Sequence, residues 1–476
     1  VTSYIAAAVK AKVTLIEAGE MGGDCLNYGC VPSKAIIKSA KIVDQITHGE
    51  HYGLENATPQ FSFKKVMARV HQVIADIAPH DSVERYTDLG VEVIKGYGKL
   101  INPWTVEIKL NDGTMQTLTA RSIVIATGAR PFVPPLPGIE TSGYVTSDTL
   151  WTEFAKLDTA PKKLVVLGGG PIGSELAQSF ARLGSQVIQI EMAERIMIRE
   201  DLEVSEFASQ SLQKSGVNIL TSHQALRCEQ RDGKKFIMVK NLKHEQGSDQ
   251  EEEMAIEYDQ LLCAVGRSAR LKGYGLEELG IETNRTIQTN EYLETLYPNI
   301  FAAGDIVGPY QFTHVAAHQG WYAAVNALFG TFKKFKVDYR VIPWATFIDP
   351  EVARVGINEQ EAIEQGIDYE ITRFDFEELD RAITDSAANG FIKVITPKGK
   401  DKILGVTIVS EHAGDLIAEF VLAMKHGLGL NKILGTIHSY PTWAEGNKYA
   451  AGEWKRNHAP ETVLSWLEKF HTWRRG

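Results

Sequence analysis

Cysteine is scarce in this sequence, with four in 476 residues. That is too few to staple a chain of this length, so a disulfide framework is excluded as the source of its fold. No apolar run approaches the ~20 residues that a membrane-spanning helix needs, and no basic-then-apolar leader opens the sequence. Positive charge is short as well: 50 Lys and Arg face 60 Asp and Glu, giving a formal net charge of −10 and a pI near 5.8. A broad basic surface is therefore missing, and no nucleic acid is expected as a partner. With 44% hydrophobic and 23% charged residues, a soluble globular protein of three or four domains is expected.

Two of the four cysteines nevertheless stand five positions apart, in Gly22-Gly23-Asp24-Cys25-Leu26-Asn27-Tyr28-Gly29-Cys30-Val31-Pro32-Ser33-Lys34. Gly29 beside the second lets the backbone bend far enough for the sulfurs to meet, and the pair reads as a redox centre. Zinc needs a second ligand pair, whereas Cys228 and Cys263 lie far off with no matching His pattern. A plain structural disulfide is the other reading. Pro32 and Lys34 open a helix whose positive N-terminal end lowers the pKa of the nearer thiol, so that Cys30 persists as a thiolate at neutral pH. A reactive dithiol suits a reducing compartment, which makes the cytoplasm the expected location.

Lys163 to Leu167 has a buried-strand pattern and runs into Gly168-Gly169-Gly170-Pro171-Ile172-Gly173. A helix to Leu183, a stop at Gly184, a strand from Gln186 to Ile190 and then Glu191 follow. This order is a complete dinucleotide-binding unit. Gly168 makes the turn, Gly170 lets the backbone approach a pyrophosphate, Gly173 permits close packing, and Glu191 accepts from a ribose 2′-OH. A carboxylate there repels a 2′-phosphate, so NAD(H) is expected over NADP(H), with Arg195 and Arg199 nearby as the counter-signal. Val1 to Val9 and the strand Lys12 to Glu17 form the back half of a similar unit. The strand and Gly-x-Gly-x-x-Gly loop that would precede Val1 are missing, and a truncation there is expected.

Taken together these segments resemble the FAD-dependent pyridine nucleotide-disulfide oxidoreductases over nearly all of the chain. The resemblance implies an α/β fold with two Rossmann-like FAD- and NAD(P)-binding domains and a C-terminal α+β dimerisation domain. The expected boundaries are 1–150 for FAD, 151–270 for NAD(P), 271–337 for a central domain completing the FAD site, and 338–476 for the interface. By the same resemblance Cys30 faces the flavin and Cys25 exchanges with substrate. Glu17 takes the FAD adenosine ribose, Gly98 a backbone contact, and Thr127 and Gly128 end the first domain against the flavin. Lys34 and Glu175 match a charged pair beside flavin N5. Leu261 to Arg267, with Gly266, closes the NAD domain and makes Cys263 a buried strand residue. Asp305 falls on the ribityl chain, and Gln311, Phe312, Thr313 and His314 fall where backbone and a helix start touch the flavin. FAD and NAD(H) are the implied cofactors, and no metal is implied.

The segment Ile437-His438-Ser439-Tyr440-Pro441-Thr442-Trp443-Ala444-Glu445 departs from the family pattern, which has His before the Pro and an acid five positions on. That His takes the proton of the attacking thiol across the dimer interface. Here Tyr440 replaces it and Glu445 is in place, so both are the catalytic candidates alongside Cys25 and Cys30. A phenol of pKa ~10 holds its proton at neutral pH, whereas an imidazole near ~6.5 exchanges it. Dihydrolipoamide oxidation is expected to suffer most. His438 lies ~6–7 Å away along an extended segment, beyond hydrogen-bond reach.

The expected protein is thus a homodimeric, dihydrolipoamide dehydrogenase-like flavoenzyme moving electrons between NAD(P)H and a small disulfide or other acceptor. A mercuric reductase-like or other small-acceptor enzyme is the alternative, although no cysteine follows Cys263. A non-enzymatic nucleotide-binding flavoprotein is the third reading. Two helical patterns are assigned to packing: Val66, Val70, Val73, Ile74 and Ile77 to the core, and the tail around Leu464, Leu467 and Phe470 to the body or the dimer rather than to a membrane.

Overall fold

The computed structural model describes residues 1–243 and 253–476. They form two compact units: Val1–Thr47 with Ala57–Ile196 and Leu212–Asp338, and His48–Asn56 with Met197–Ser211 and Tyr339–Gly476.

In the first unit the apolar runs Lys163–Leu167, Gln186–Ile190, Val217–Leu220 and Gln260–Cys263 join Val145–Thr146 in a five-stranded parallel sheet. Such strands are buried on both faces, which is why they read as continuous apolar runs rather than alternating ones. Val165, Leu167, Ile190, Leu261 and Cys263 share one core with Ile237 and Tyr258. Cys263 is buried, and burial pushes its thiol up to about 12, leaving it inert. A second sheet pairs Val13–Glu17 parallel with Val91–Asn102 and continues antiparallel through Thr105–Leu110 and Met115–Thr119. The strand before Ala126-Thr127-Gly128 spans Ile123–Ile125 and pairs parallel with Ile300–Ala302, bringing that segment beside Asp305.

The second unit is built on an antiparallel sheet ordered Pro343–Thr346, Glu351–Gly356, Gly405–Ser410, Phe391–Pro397, Tyr369–Asp375. Val355, Phe376, Ile392, Phe420, Trp443 and Trp454 are buried in its core. Filling that core with large side chains contributes roughly 1.5–3 kcal/mol each.

One packing expectation is corrected and a second is narrowed to its dimer alternative. In the Phe63–Ile77 helix, capped by the Ser62 hydroxyl, Phe63, Met67 and Val70 are the buried residues. Val66, Val73, Ile74 and Ile77 are only partly buried, because the apolar stripe is wider than the strip of body it meets. The Glu461–Arg475 helix has no buried residue, and Trp466 and Trp473 are exposed, so it does not pack on its own chain's core.

Candidate active site

The cysteine run folds as two successive helices. Gly23–Asn27 carries Cys25, and Cys30–Thr47 begins at Cys30 itself, two residues earlier than Pro32 marks. The Asp24 carbonyl accepts from Tyr28 N–H (2.8 Å) and Gly29 N–H (2.7 Å), folding the chain back between them. A Cβ on Gly29 would sit 3.2 Å from that carbonyl oxygen, a tight approach that glycine avoids. Trp151 braces it from another segment by donating Nε1–H to the Tyr28 carbonyl (2.7 Å).

Cys25 and Cys30 are both free thiols, within hydrogen-bond reach of one another. The hydrogen bond from Cys25 is the main reason the Cys30 thiol is held below its usual range. Burial opposes it, while Thr313 and the Lys34 ammonium assist. The same bond, with burial, holds Cys25 protonated far up. Thr313 Oγ1 lies 3.5 Å from Cys30 Sγ, at the start of the Thr313–Phe329 helix. The pair is thus split into a thiolate and a thiol, chiefly by the hydrogen bond between the two sulfurs.

Lys34 Nζ is 2.8 Å from Glu175 Oε2, an ion pair 141 residues apart in sequence. Glu175 is buried. A shallow groove of about 360 Å³ opens beside Cys30, lined by Val31, Lys34, Ala35, Arg69, Val73 and Ile77.

In the Gly168–Gly173 loop each glycine has a distinct geometry. Gly168 has φ +108°; a Cβ on Gly173 would lie 2.2 Å from the Gly168 carbonyl oxygen; a Cβ on Gly170 would meet nothing within 4 Å. The Glu191 carboxylate accepts from Gly169 N–H (2.5 Å) and Ala193 N–H (2.7 Å), which aims it along the loop.

Near the cysteines, Gly128 has φ +68° with open space at its Cα, and its carbonyl accepts from Arg270 N–H (3.0 Å). Thr127 Oγ1 donates to the Arg270 carbonyl (3.2 Å). Gly266, at φ +130°, gives its carbonyl to Phe132 N–H (2.9 Å). Burial raises the Asp305 carboxyl, and Arg267 pulls it back down. Gln311 Nε2 donates to the Asp305 carbonyl (3.3 Å), and Phe312 stacks on His314 at 5.4 Å. Glu17 accepts from Gly19 N–H (2.7 Å), and Gly98 packs against Val106 and Ile16.

The residues present fit a dinucleotide at the Gly168–Gly173 loop and a further anionic or polar group at the Thr313 helix start. The Pro171–Arg182 helix starts at an extended Gly170 with no side-chain cap and Pro at its first turn, presenting N–H groups to an anion beside the open Gly170. The Thr313–Phe329 helix likewise starts without a side-chain cap, beside Cys30 and on the same loop as Asp305. No cluster of His, Cys, Asp or Glu suited to a metal occurs among the described residues.

In the second unit the Tyr440 hydroxyl donates to Asp380 Oδ2 (3.0 Å), and that carboxylate keeps the phenol above its usual pKa. Glu445 is buried and accepts from Thr442 N–H (3.2 Å) and the Tyr449 hydroxyl (3.2 Å). His438 pairs with Glu419 (Nε2–Oε1 3.0 Å) while Nδ1 faces the Thr436 carbonyl (3.1 Å). Both of its nitrogens therefore face acceptors.

Sequence reading missed Thr313 as a thiol partner, Trp151 as a brace, Asp380 under Tyr440, and Arg267. An acid directly before Cys25 was the available signal for Arg267; nothing local marks the others.

A dithiol at a helix start, joined to a complete dinucleotide unit and half of another, defines a nucleotide-dependent dithiol oxidoreductase. Comparison with known proteins agrees. Residues 2–320 match the pyridine nucleotide-disulphide oxidoreductases, and residues 342–451 match that family's dimerisation domain. The chain belongs to this family, whose members depend on FAD and use NAD(P)H, and it is an NAD(P)H-driven disulfide flavoenzyme. It is 34% identical over 444 residues to a mercuric reductase of Staphylococcus aureus, covering 93% of this chain and 78% of the relative. It is 34% identical over 453 residues to a dihydrolipoyl dehydrogenase of Chlamydia pneumoniae, covering 94% and 93%. A solved structure, the Cu(II) complex of the HOCl-induced flavoprotein disulfide reductase RclA from Escherichia coli, superposes with a TM-score of 0.79 at 26% identity, covering 94% and 95%. Among the described residues no helix is long and apolar enough to cross a membrane.

Proposed function

We propose that this protein is an NADH-driven reductase of a small disulfide or other small acceptor, acting as a homodimer in a reducing compartment such as the cytoplasm. The observation that carries this reading is the pair of free thiols Cys25 and Cys30 within hydrogen-bond reach of one another, with Thr313 Oγ1 3.5 Å from Cys30 Sγ and the Lys34–Glu175 ion pair one helical turn on. FAD, when bound, relays two electrons between the nicotinamide and the Cys25–Cys30 disulfide. Residues 1–150 and 271–337 supply its contacts: Glu17, Gly98, Thr127, Gly128, Asp305 and the segment Gln311 to His314, with Gly266 beside them. Lys34, held by Glu175, supplies positive charge where negative charge develops. Gly168, Gly170 and Gly173 hold the dinucleotide phosphates in 151–270, and Glu191 selects NADH by repelling a 2′-phosphate.

On the acceptor side Cys25, once deprotonated, attacks one sulfur of the acceptor. The acceptor S–S bond breaks, and its leaving thiolate takes a proton. The Cys30 thiolate then attacks the Cys25 sulfur, expels the second acceptor thiolate and closes the Cys25–Cys30 disulfide. Tyr440 and Glu445 complete this site across the dimer. Tyr440 is a poor base, because its hydroxyl donates to Asp380 and keeps its proton. Without a good base the proton of the attacking thiol goes to solvent, which slows the exchange in both directions. Dihydrolipoamide oxidation is disfavoured for that reason, and NADH as the electron source sets the direction toward acceptor reduction.

The test is an acceptor screen of the FAD-loaded protein with NADH, read together with the long-wavelength thiolate-to-flavin absorbance after two-electron reduction. Disulfide-dependent NADH oxidation, lost with the absorbance in Cys30→Ser, supports the reading. Unchanged absorbance and turnover in Cys30→Ser refutes it.

A further inference from the structure

Arg267 opens the short strand Arg267–Ala269, which pairs antiparallel with Ala129–Pro131. Its guanidinium is largely buried and gathers three carboxylates from three separate stretches of chain. It donates to Asp24 and to the Ala129 carbonyl (3.3 Å), and lies 3.6 Å from Asp148 and 3.9 Å from Asp305. Asp24 directly precedes Cys25, and its carbonyl closes the turn that returns the chain to Cys30. Asp305 in turn senses the charge of Cys30. One cation therefore ties the cysteine turn to the loop carrying Asp305, and it is outnumbered three to one.

We propose that Arg267 is a positioning residue that sets how readily the Cys25–Cys30 pair is reduced, by anchoring the Asp24 turn and balancing three carboxylates beside the thiols. The proposal rests on the redox reading of that pair. The other groups facing Cys30 are Cys25, the Thr313 hydroxyl, and Lys34 with Glu175 behind it. Arg270 reaches Asp24 electrostatically, more weakly than Arg267. Removing Arg267 leaves the three carboxylates against the thiolate and favours the disulfide, which carries no charge.

The experiment equilibrates the FAD-loaded protein with dithiothreitol and its cyclic disulfide at pH 7 and measures the Cys25–Cys30 state by alkylation and mass spectrometry. The protein disulfide gains two electrons and two protons as its S–S bond breaks. Dithiothreitol gives up both and forms its own S–S bond. Cys30 then releases its proton to buffer. Arg267→Gln should shift the equilibrium about fivefold or more toward the disulfide, a floor well below what a charge in direct contact exerts at an effective dielectric of about 20. Arg267→Lys should move it by less than about half that factor, because the charge is retained. Arg267→Gln with Asp148→Asn should return toward wild type, whereas a purely structural arginine predicts no rescue. Asp148→Asn alone should shift the equilibrium toward the dithiol, which keeps the proposal testable should Arg267→Gln fail to fold. Arg267→Gln titrating with wild type, or Asp148→Asn shifting toward the disulfide, overturns the proposal. Failure of the wild-type pair to form a disulfide at any buffer ratio overturns the redox reading beneath it.

Discussion

Lys34 and Glu175 should move the Cys30 thiol in opposite directions. Lys34 is one helical turn from Cys30, a spacing that puts Cβ atoms ~5–6 Å apart and the charges on the order of 6 Å. At an effective dielectric of about 20, a unit charge at ~6 Å is worth roughly 2.8 kcal/mol, or about two pH units. Glu175 sits 2.8 Å beyond the ammonium. Its opposing charge at ~9 Å is worth about 1.8 kcal/mol by the same arithmetic. The Lys34 side chain is 36% exposed, so water screens part of both effects. Lys34→Met should raise the Cys30 pKa by about one pH unit, and Glu175→Gln should lower it by about half a unit. The assay is a pH titration of the long-wavelength absorbance of the two-electron-reduced enzyme, checked by the pH dependence of Cys30 alkylation. Shifts of the same sign in both variants, or none in either, would refute the electrostatic reasoning. A depressed thiol also contributes to stability. That contribution is present above the ordinary thiol range near ~8.5 and is lost as pH falls through the depressed folded value. Lys34→Met should narrow the window in which it acts.

Three further outcomes follow from the same geometry. NADH should exceed NADPH in kcat/KM by about tenfold or more, since setting a phosphate against the Glu191 carboxylate costs on the order of 1.4 kcal/mol; equal efficiency with both would sink this. Mixed dimers of Cys25→Ala and Glu445→Ala chains contain one intact and one doubly damaged site, so about half the wild-type activity should return, and no recovery above either single variant argues against a shared site. Deleting the chain after Pro460 should loosen the dimer while vesicle binding stays negligible, because Glu461–Arg475 buries nothing on its own chain; binding of the intact protein to anionic vesicles, lost on truncation, would reverse that assignment.

Much of this was legible in the residues because it is local. Cys25 and Cys30 with Gly29, the Gly168–Gly173 loop ahead of a helix, and the strand ending at Glu191 are short stretches whose backbone geometry follows from their own residue types. Their order along the chain was enough to recognise the family. Residues that act through distant partners were not legible. Lys34 and Glu175 were paired by resemblance, and only the fold shows the 2.8 Å contact. Val73 and Ile77 carry a core periodicity, yet they line the groove beside Cys30, because periodicity marks an apolar face without naming what covers it.

By itself, then, the sequence determined the redox pair, the dinucleotide unit, the α/β class and the departure at Tyr440, all carried by residues within a few positions of each other. Tertiary structure alone decided that Thr313, 283 residues from Cys30, assists the thiol polarity that the Cys25 hydrogen bond sets. It also decided that Arg267 meets Asp24 across 243 residues, that Asp380 holds the Tyr440 proton, and that His438 is committed to Glu419. Charges and hydrogen bonds act over a few ångströms of space, whatever the length of chain between the groups, and only folding sets those distances.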